Sequence, residues 1–580
     1  MSILNINPGI LLILAGFVAM AIPVQRVRQG IGLIAPIVGI ILLALAPHDQ
    51  SLMMPISVMN VDLTLYRVDN LNFIFALAFL IAATLNSIYA LHQDDWVQDS
   101  SALIYAGAAV AASLVGDLMS LFIFWEITAV SSVFLILKSG TRAAYAASMR
   151  YLGIQVFSGV LLLAGATQYF AANGNMDLAA FATLQDPGAL LIFFAFGIKA
   201  AFPFLHNWLQ DSYPRATVVG AVVLSAFTTK LAVYALARMF PGQDILIWIG
   251  AIMTVFPVFF AVIENDLRKV LAYSLNNQVG FMVCAIGVGS QLAINGAAAH
   301  AFAHIIYKGL LFMSMGAVLY RTGTTKATEL GGLYKSMPWT TIFCIIGAAS
   351  ISAFPLFSGF VAKSLTMSAV LNEHLVIVWL MLLFASAGVL EHSGIKIPYF
   401  AFFAHDSGKR VKEAPLNMLI AMGLAAAICI LIAIPTLTGI GYGALYRMLP
   451  YPEVALAYDV YTVDHILTQM QLLVLAAFAF LLLKRFHMYP PEKRGTILDF
   501  DWVYRKPGYG TFLWLGAVWK KMGPAIDDAW LRLANTGFER IKATFSPQGV
   551  LARGPLTGGI AVWGAALLGV VLLFALINGQ

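Results

Sequence analysis

The sequence predicts an all-α membrane protein of about sixteen transmembrane helices. Three observations carry that prediction. Of 580 residues, 60% are hydrophobic and only 11% charged, against roughly 25% charged in an ordinary soluble domain. Apolar runs of about 20 residues, each long enough to cross a bilayer, recur along the whole chain. The basic residues also fall in alternate connections between those runs, which is the pattern left by insertion with positive loops on the cytoplasmic side.

The runs lie at about 8–23, 30–47, 71–91, 102–118, 119–138, 151–172, 189–210, 216–239, 245–263, 268–289, 296–320, 338–366, 374–393, 416–440, 466–484 and 557–577. Alternate connections carry Arg26 and Arg28; Lys138, Arg142 and Arg150; Arg215; Arg268 and Lys269; Arg321, Lys326 and Lys335; Lys396, Lys409, Arg410 and Lys412; and Lys484, Arg485, Lys493 and Arg494. The opposite set carries mainly Arg67, Arg238 and Arg447. This asymmetry puts the N-terminus outside, as in a multi-pass protein of a bacterial cytoplasmic membrane. The loop His92–Ser100 departs from it, being acidic on the basic side.

The organisation expected is N-terminal helices over 1–100, two repeats over 101–240 and 241–394, further core helices over 395–485, and a tail over 486–580. Within the tail, 486–510 reads as a polar connection with Pro490, Pro491 and Pro507. Residues 524–545 read as an amphipathic helix with Ile526, Trp530, Leu533, Ile541 and Phe545 near one face, too polar to span and suited to a membrane surface or a partner. The N-terminus has no positively charged leader, so the first apolar run reads as a retained helix.

Several function classes drop out on composition. The net charge of +6 is spread between apolar runs and forms no basic stripe with aromatics, so nucleic-acid binding is not indicated. Cys284, Cys344 and Cys429 each sit in an apolar run without a CxxC neighbour and read as buried small hydrophobes. No Gly-rich phosphate loop or nucleotide fingerprint is present, so no cofactor is expected.

Two runs share one phrase, Ala201-Phe202-Pro203-Phe204 and Ala353-Phe354-Pro355-Leu356, with the prolines 152 residues apart. A proline deep in a helix removes a hydrogen bond and clashes with the preceding turn. In lipid the freed backbone must be satisfied by protein or water. Matching broken helices mark the site of an inverted-repeat transporter, and two unrelated proline kinks are the plainer reading.

Ionisable residues inside apolar runs favour the first reading. Glu126, Lys199, Lys230 and Lys363 lie away from run ends, and His300, His304 and Lys308 recur at i, i+4 and i+8, so these three share a helix face. A charge at a helix centre costs about 2.5–3.5 kcal/mol on insertion scales, so four cost on the order of 10 kcal/mol unless they pair or meet water. Snorkelling to the headgroups is the plainer reading for a lysine such as Lys363. A lysine in a low-dielectric site loses affinity for its proton and a nearby carboxylate restores it, while histidine titrates near neutrality unaided. Together these groups suit a proton relay. His300 and His304 have a metal-sharing spacing, but Lys308 on the same face is cationic and no glutamate completes HExxH, so no metal is expected.

These residues resemble the antiporter-like subunits shared by respiratory complex I, Mrp-type cation/proton antiporters and membrane-bound hydrogenases, over about 70–440. The resemblance rests on Gly116-Asp117-Leu118 with Phe124-Trp125-Glu126; Gly197-Ile198-Lys199 through Pro203-Phe204-Leu205-His206-Asn207-Trp208-Leu209; Thr229-Lys230; Asp266-Leu267-Arg268-Lys269-Val270-Leu271-Ala272-Tyr273-Ser274; His304-Ile305-Ile306-Tyr307-Lys308-Gly309; and Pro355-Leu356-Phe357-Ser358-Gly359-Phe360-Val361-Ala362-Lys363. It implies a fourteen-helix core with two inverted five-helix repeats and two discontinuous helices. It further implies that Glu126 pairs with Lys199, that Lys230 and the His300/His304 helix continue a central polar axis, and that Lys363 ends it. Partners implied are other membrane subunits of a larger complex, with protons, and sodium as a candidate second ion, as cargo. The segment Glu391–Phe400 is most similar to the D-type member of the Mrp antiporters, and the tail resembles a shortened lateral arm of the largest complex I member. An antiporter subunit is the first expectation. A pumping subunit of a redox-driven or carbon-uptake complex is the alternative.

Overall fold

The computed structural model describes residues 6–47, 55–58, 61–436, 440–490, 495, 497–546 and 558–577. The chain forms two compact units, 1–497 and 498–580.

The first unit opens with α1 (Pro8–Ala21), α2 (Gln25–Leu45), a small antiparallel hairpin of β1 (Pro55–Val58) and β2 (Val61–Thr64), α3 (Asn70–Ala90) and α4 (Trp96–Ser113). It continues with α5 (Leu118–Leu137), α6 (Arg142–Asn173), α7 (Ala189–Ala200), α8 (Asn207–Ser212), α9 (Val218–Ala226), α10 (Thr228–Met239) and α11 (Asp244–Ile263). Then follow α12 (Leu267–Val288), α13 (Gln291–Thr322), α14 (Pro338–Ile351), α15 (Ser358–Asn372), α16 (Val376–Val389), α17 (Lys396–Pro398), α18 (Leu416–Leu431), α19 (Tyr442–Arg447), α20 (Pro452–Ala457) and α21 (Val463–Arg485). Each of the sixteen apolar runs contains a helix. Among the described residues ten helical stretches are long and apolar enough to cross a membrane, α9 with α10 and α16 with the turns after it each counting as one. Helices α12 and α13 are buried almost throughout, whereas α1, α2, α16 and α18 turn large apolar side chains outward, among them Phe17, Ile41, Ile377 and Leu416. Water-facing monomers rarely expose such belts, which suit lipid.

The repeat is written in the helix termini. Asp117 caps α5 by accepting from the Ser120 amide at 2.7 Å, and Asp266 caps α12 by accepting from the Arg268 amide at 2.9 Å. Beside each cap the chain pairs with a later segment: Leu118 N donates to Met176 O (2.7 Å), and Leu267 N to Thr325 O (3.0 Å). The next helices, α6 and α13, are both 32 residues long, and each ends on a left-handed glycine, Gly174 or Gly323. Each is followed by a broken helix. At both breaks the backbone repeats: Ala201 and Phe204 have φ of 63° and 69°, and Ala353 and Leu356 have 55° and 73°. Phe202 N reaches back five residues to Gly197 O, as Phe354 N does to Ala349 O. Four non-glycine residues in this sparsely populated region store strain that the surrounding packing must hold. Unrelated kinks would not share these details.

The two caps lie on opposite edges, so the repeats are inverted. Asp117 also accepts from the Thr64 amide, near the edge where Arg238 and Arg67 meet Asp69 at 2.7 and 3.8 Å. Asp266 lies beside Arg268, whose guanidinium donates to the carbonyls of Ala216 and Thr217. Thr217 in turn bonds Gln98, close to the loop where Arg28 pairs with Asp94 and Asp99 and Lys138 with Asp95. The acidic loop that broke the charge pattern thus supplies countercharges to the basic residues around it.

Several helices differ in extent from the sequence reading: α6, expected over 151–172, begins at Arg142, and α18, expected over 416–440, ends at Leu431. The run expected over 102–118 forms a helix from Trp96 to Ser113, because Asp95 caps it earlier and the chain pairs with the hairpin after it. The helix expected to end near Ser393 continues through π-helical turns at Leu390–Ile395 and Tyr399–Phe403.

In the second unit, the amphipathic helix expected over 524–545 is one long helix, α23 (Tyr509–Phe545), that follows α22 (Asp501–Val503) and a π turn. Much of the expected polar connection is therefore helical. Pro507 lies within the π turn and Pro524 within α23 itself. Ile526, Trp530, Leu533 and Ile541 are all exposed. The last helix is α24 (Gly558–Ile577).

Candidate functional site

The broken helices put carbonyl-rich backbone at the centre of the bundle, and the buried ionisable side chains gather around it. Lys199 is fully buried on the last turn of α7, just before the first break. Its amine donates to Trp125 O at 2.7 Å and to Thr128 Oγ1 at 2.9 Å, and lies 4.2 Å from the Trp125 ring centroid. The ring is fixed in turn: Trp125 Nε1 donates to Ser158 Oγ, which donates to Ala195 O.

Glu126 is the next residue along α5, half-buried, and its carboxylate sits in a notch left by Gly159 of α6. A Cβ there would come within 1.5 Å of Glu126 Oε1. The two groups feel each other's charge, but the expected ion pair is not made. The Lys199 amine is held by the Trp125 carbonyl and the Thr128 hydroxyl, and Glu126 Oε1 is buried with no protein partner. Being consecutive on α5, Trp125 and Glu126 point about 100° apart around the helix, so an amine bound over one residue is turned away from the next.

The other five predicted residues form a second group. Lys230 follows the interruption between α9 and α10 and donates to Ser225 O at 2.6 Å, in the last turn of α9. Lys363 on α15 reaches back to Ile351 O, the last residue of α14, at 2.7 Å, with its amine 5.2 Å from the Phe281 ring centroid. Both amines thus sit at the negative end of a helix dipole, and Lys363 is buried, not at the headgroups. His300, His304 and Lys308 lie on α13, and the charges of Lys230 and Lys363 act on all three.

His300 is the best anchored of the three. Its Nε2 lies 3.2 Å from Gln278 Oε1 and 3.0 Å from the Tyr307 hydroxyl, which donates to the same Gln278 oxygen at 3.1 Å. Among the described residues His304 has no hydrogen-bond partner for either ring nitrogen, nor Lys308 for its amine, although all three atoms are buried. Both amide atoms of Asn276, of Gln155 and of Gln210 are likewise buried without a protein partner. Leaving a buried polar group unsatisfied costs about 1–3 kcal/mol. Buried polar groups of this kind are commonly met by bound water, a medium through which a proton can move.

Sequence reasoning missed several of these residues. Gln278, Asn276 and Asn277 on α12 and Tyr307 on α13 build the seam around the histidines, and the run Asn276-Asn277-Gln278 inside an apolar stretch was a readable signal. His392, fully buried on the first π turn and acted on by the charges of Lys308, Lys363 and Lys396, was also overlooked as a site residue.

This geometry defines a polytopic membrane protein with inverted repeats, two broken helices and a buried ionisable axis between them. Residues 115–390 match the family described as NADH:quinone oxidoreductase/Mrp antiporter, TM. It is 33% identical over 312 residues to the D subunit of the Na(+)/H(+) antiporter of Alkalihalophilus pseudofirmus, covering 50% of this chain and 63% of that protein. It is 28% identical over 422 residues to hydrogenase-4 component B of Escherichia coli, covering 64% of this chain and 62% of that one. The fold is similar to a chain of the membrane-bound sulfane sulfur reductase, an archaeal respiratory membrane complex, with TM-score 0.69, 21% identity, and coverage of 98% of this chain and 99% of that one.

Proposed function

We propose that the chain is the proton-conducting membrane subunit of a multisubunit monovalent cation/proton antiporter of the Na+/H+ type. Protons enter near Lys230, pass along the His300–His304–Lys308 face and leave near Lys363, gated by Glu126 and Lys199. The observation that carries this reading is the set of Lys230, His300, His304, Lys308 and Lys363, all buried, with His304 and Lys308 lacking a hydrogen-bond partner among the described residues. The basic edge faces the cytoplasm of a bacterial inner membrane, with the N-terminus outside, and other membrane subunits complete the complex.

Proton movement in inverted membrane vesicles tests the mechanism. Glu126→Gln and Lys199→Ala are expected to abolish it while the protein remains in the membrane at its normal level. Wild-type rates in both variants would end the proposal.

A second reading has its own support. The similarity to hydrogenase-4 component B runs over more of this chain than that to the antiporter D subunit, 64% against 50%. On that reading the same axis serves a pump driven by redox chemistry in NADH–quinone oxidoreductase-like or hydrogenase-like neighbours, or by an energy-coupled carbon-uptake system. Purifying the complex and identifying its subunits separates the two: small antiporter subunits support the first, cofactor-binding subunits the second.

A further inference from the structure

We propose that His392 is an additional proton-relay residue, one that extends the ionisable axis from Lys308 and Lys363 onto the π-helical segment and toward the edge carrying Lys396, Glu264 and Lys269. The inference rests on the proton conduction proposed above and adds a branch to it.

Position comes first. The turn Leu390–Ile395 packs directly against the second break. Gly394 has no Cβ because one would lie 2.3 Å from Ser352 Oγ, in the break itself. His392 is fully buried in that turn, and the charges of Lys308, Lys363 and Lys396 act on it from three helices. π turns arise where one extra residue is accommodated in a helix, and they recur at functional sites.

The hydrogen bonds then fix the chemistry. Ser393 Oγ donates to Ser274 Oγ at 2.8 Å, so it accepts from His392 Nδ1, also at 2.8 Å. The neutral ring therefore carries its proton on Nδ1 and presents Nε2 as a bare acceptor. Nε2 is buried and has no protein partner. A histidine with one nitrogen anchored and the other without a partner among the described residues, in a turn that packs on the break whose Ile351 carbonyl holds the Lys363 amine, is placed to accept a proton.

The exit side is also built. Lys396, four residues on, donates to Val262 O at 2.5 Å and Glu264 O at 2.7 Å, at the end of α11. There the Glu264 carboxylate pairs with Lys269 at 2.8 Å, on the edge marked by Arg268. In the step proposed, an N–H bond breaks on the Lys308 or Lys363 ammonium and one forms on Nε2, leaving a neutral lysine and an imidazolium. The imidazolium then releases that Nε2 proton to water on the Lys396 side. The ring returns to its starting tautomer with Nδ1 still anchored on Ser393.

Proton translocation by the full chain with its native neighbours, in inverted vesicles, tests this. His392→Gln keeps hydrogen-bonding capacity and approximate volume but cannot exchange a proton. It is expected to lower the rate at least tenfold with normal protein in the membrane, since a positioned proton-transfer group contributes typically 10²–10⁴-fold. His392→Ala is expected to lose as much and to recover in part when imidazole is added, while His392→Gln, its space still filled, does not recover. If His392→Ala fails to accumulate, His392→Gln decides alone. A wild-type rate in His392→Gln overturns the inference, as does a stable His392→Ala that imidazole leaves unrescued. Lys199→Ala run in parallel keeps the two readings apart. If it is silent while His392→Gln runs normally, only the branch falls. If both run normally, proton conduction along this axis falls with it.

Discussion

At the basic edge of the protein several cations meet carboxylates, while Arg268 and Lys396 rest on carbonyls; along the central axis no lysine forms such a pair among the described residues. Arg28 is buried and bridges Asp94 at 2.6 Å and Asp99 at 2.8 Å, Lys269 holds Glu264 at 2.8 Å, and Arg150 and Arg215 share Asp211. Among the described residues, the axis amines of Lys199, Lys230 and Lys363 donate only to carbonyl or hydroxyl oxygens, and that of Lys308 has no acceptor. A charge matched by a fixed countercharge stays charged and holds structure. A charge matched only by backbone dipoles and water is free to come and go with small movements of its surroundings. On the proposed function, the same side-chain type thus holds structure at one depth and carries protons at another.

Variants that trade these roles test the contrast, and the largest effect is expected in the axis. Lys230→Met and Lys363→Met remove amines that the fold does not use as ion-pair partners. Proton transport is expected to fall by at least a hundredfold in each, by loss of a proton carrier, with thermal stability in detergent unchanged or raised because a buried cation is gone. A large drop in stability instead would show that these amines hold the structure together, and the distinction between axis and edge would be lost. Arg28→Ala should behave in the opposite way. It strands the nearly buried Asp99, and breaking a buried pair costs about 3–5 kcal/mol; about 3 kcal/mol is expected because Asp94 is 66% exposed. A calorimetric or thermofluor midpoint would register that loss, with transport per folded molecule preserved.

Much of this contrast could be read from the chain alone. All seven predicted site residues lie inside the first unit's helices, because an ionisable residue in an apolar run is conspicuous and costly. The breaks were marked by Pro203 and Pro355, and the edges by the alternation of basic loops. What could not be read depends on partners remote in sequence. The caps Asp117 and Asp266 are local, but their equivalence in the two repeats shows only where each pairs with backbone near Asp177 and Lys326. That Lys199 donates to a carbonyl and a hydroxyl while Glu126 acts on it through space could not be read, because a countercharge at a distance and a carbonyl in direct contact look alike in a sequence. The π turns at 390–403 were missed because hydropathy does not distinguish a five-residue hydrogen-bond step from a four-residue one.

Smaller effects probe how finely the axis amines are held. The Thr128 hydroxyl accepts from Lys199 and itself donates to Trp125 O at 2.6 Å, so it sets the angle at which the amine meets α5. Thr128→Val keeps the shape and removes one of the two acceptors. A net hydrogen bond is worth about 0.5–1.5 kcal/mol, so a rate change of about three- to tenfold is expected in vesicle assays, well short of the loss in Lys199→Ala. An effect equal to Lys199→Ala would make the hydroxyl part of the proton route itself.

The smallest effect is expected back at the edge, where Lys138 is 42% exposed and pairs with Asp95 at 3.2 Å. Water screens such a pair and its two side chains lose entropy to form it, leaving a contribution of about 0–1 kcal/mol. Asp95 also caps α4 through the Gln98 amide, a role that Lys138→Met leaves intact. Lys138→Met should therefore shift the unfolding midpoint little, leave transport unchanged, and differ least from wild type at high salt. If it destabilises the protein as much as Arg28→Ala, depth would not separate structural charges from dispensable ones, and the division between edge and axis would need a cause other than burial.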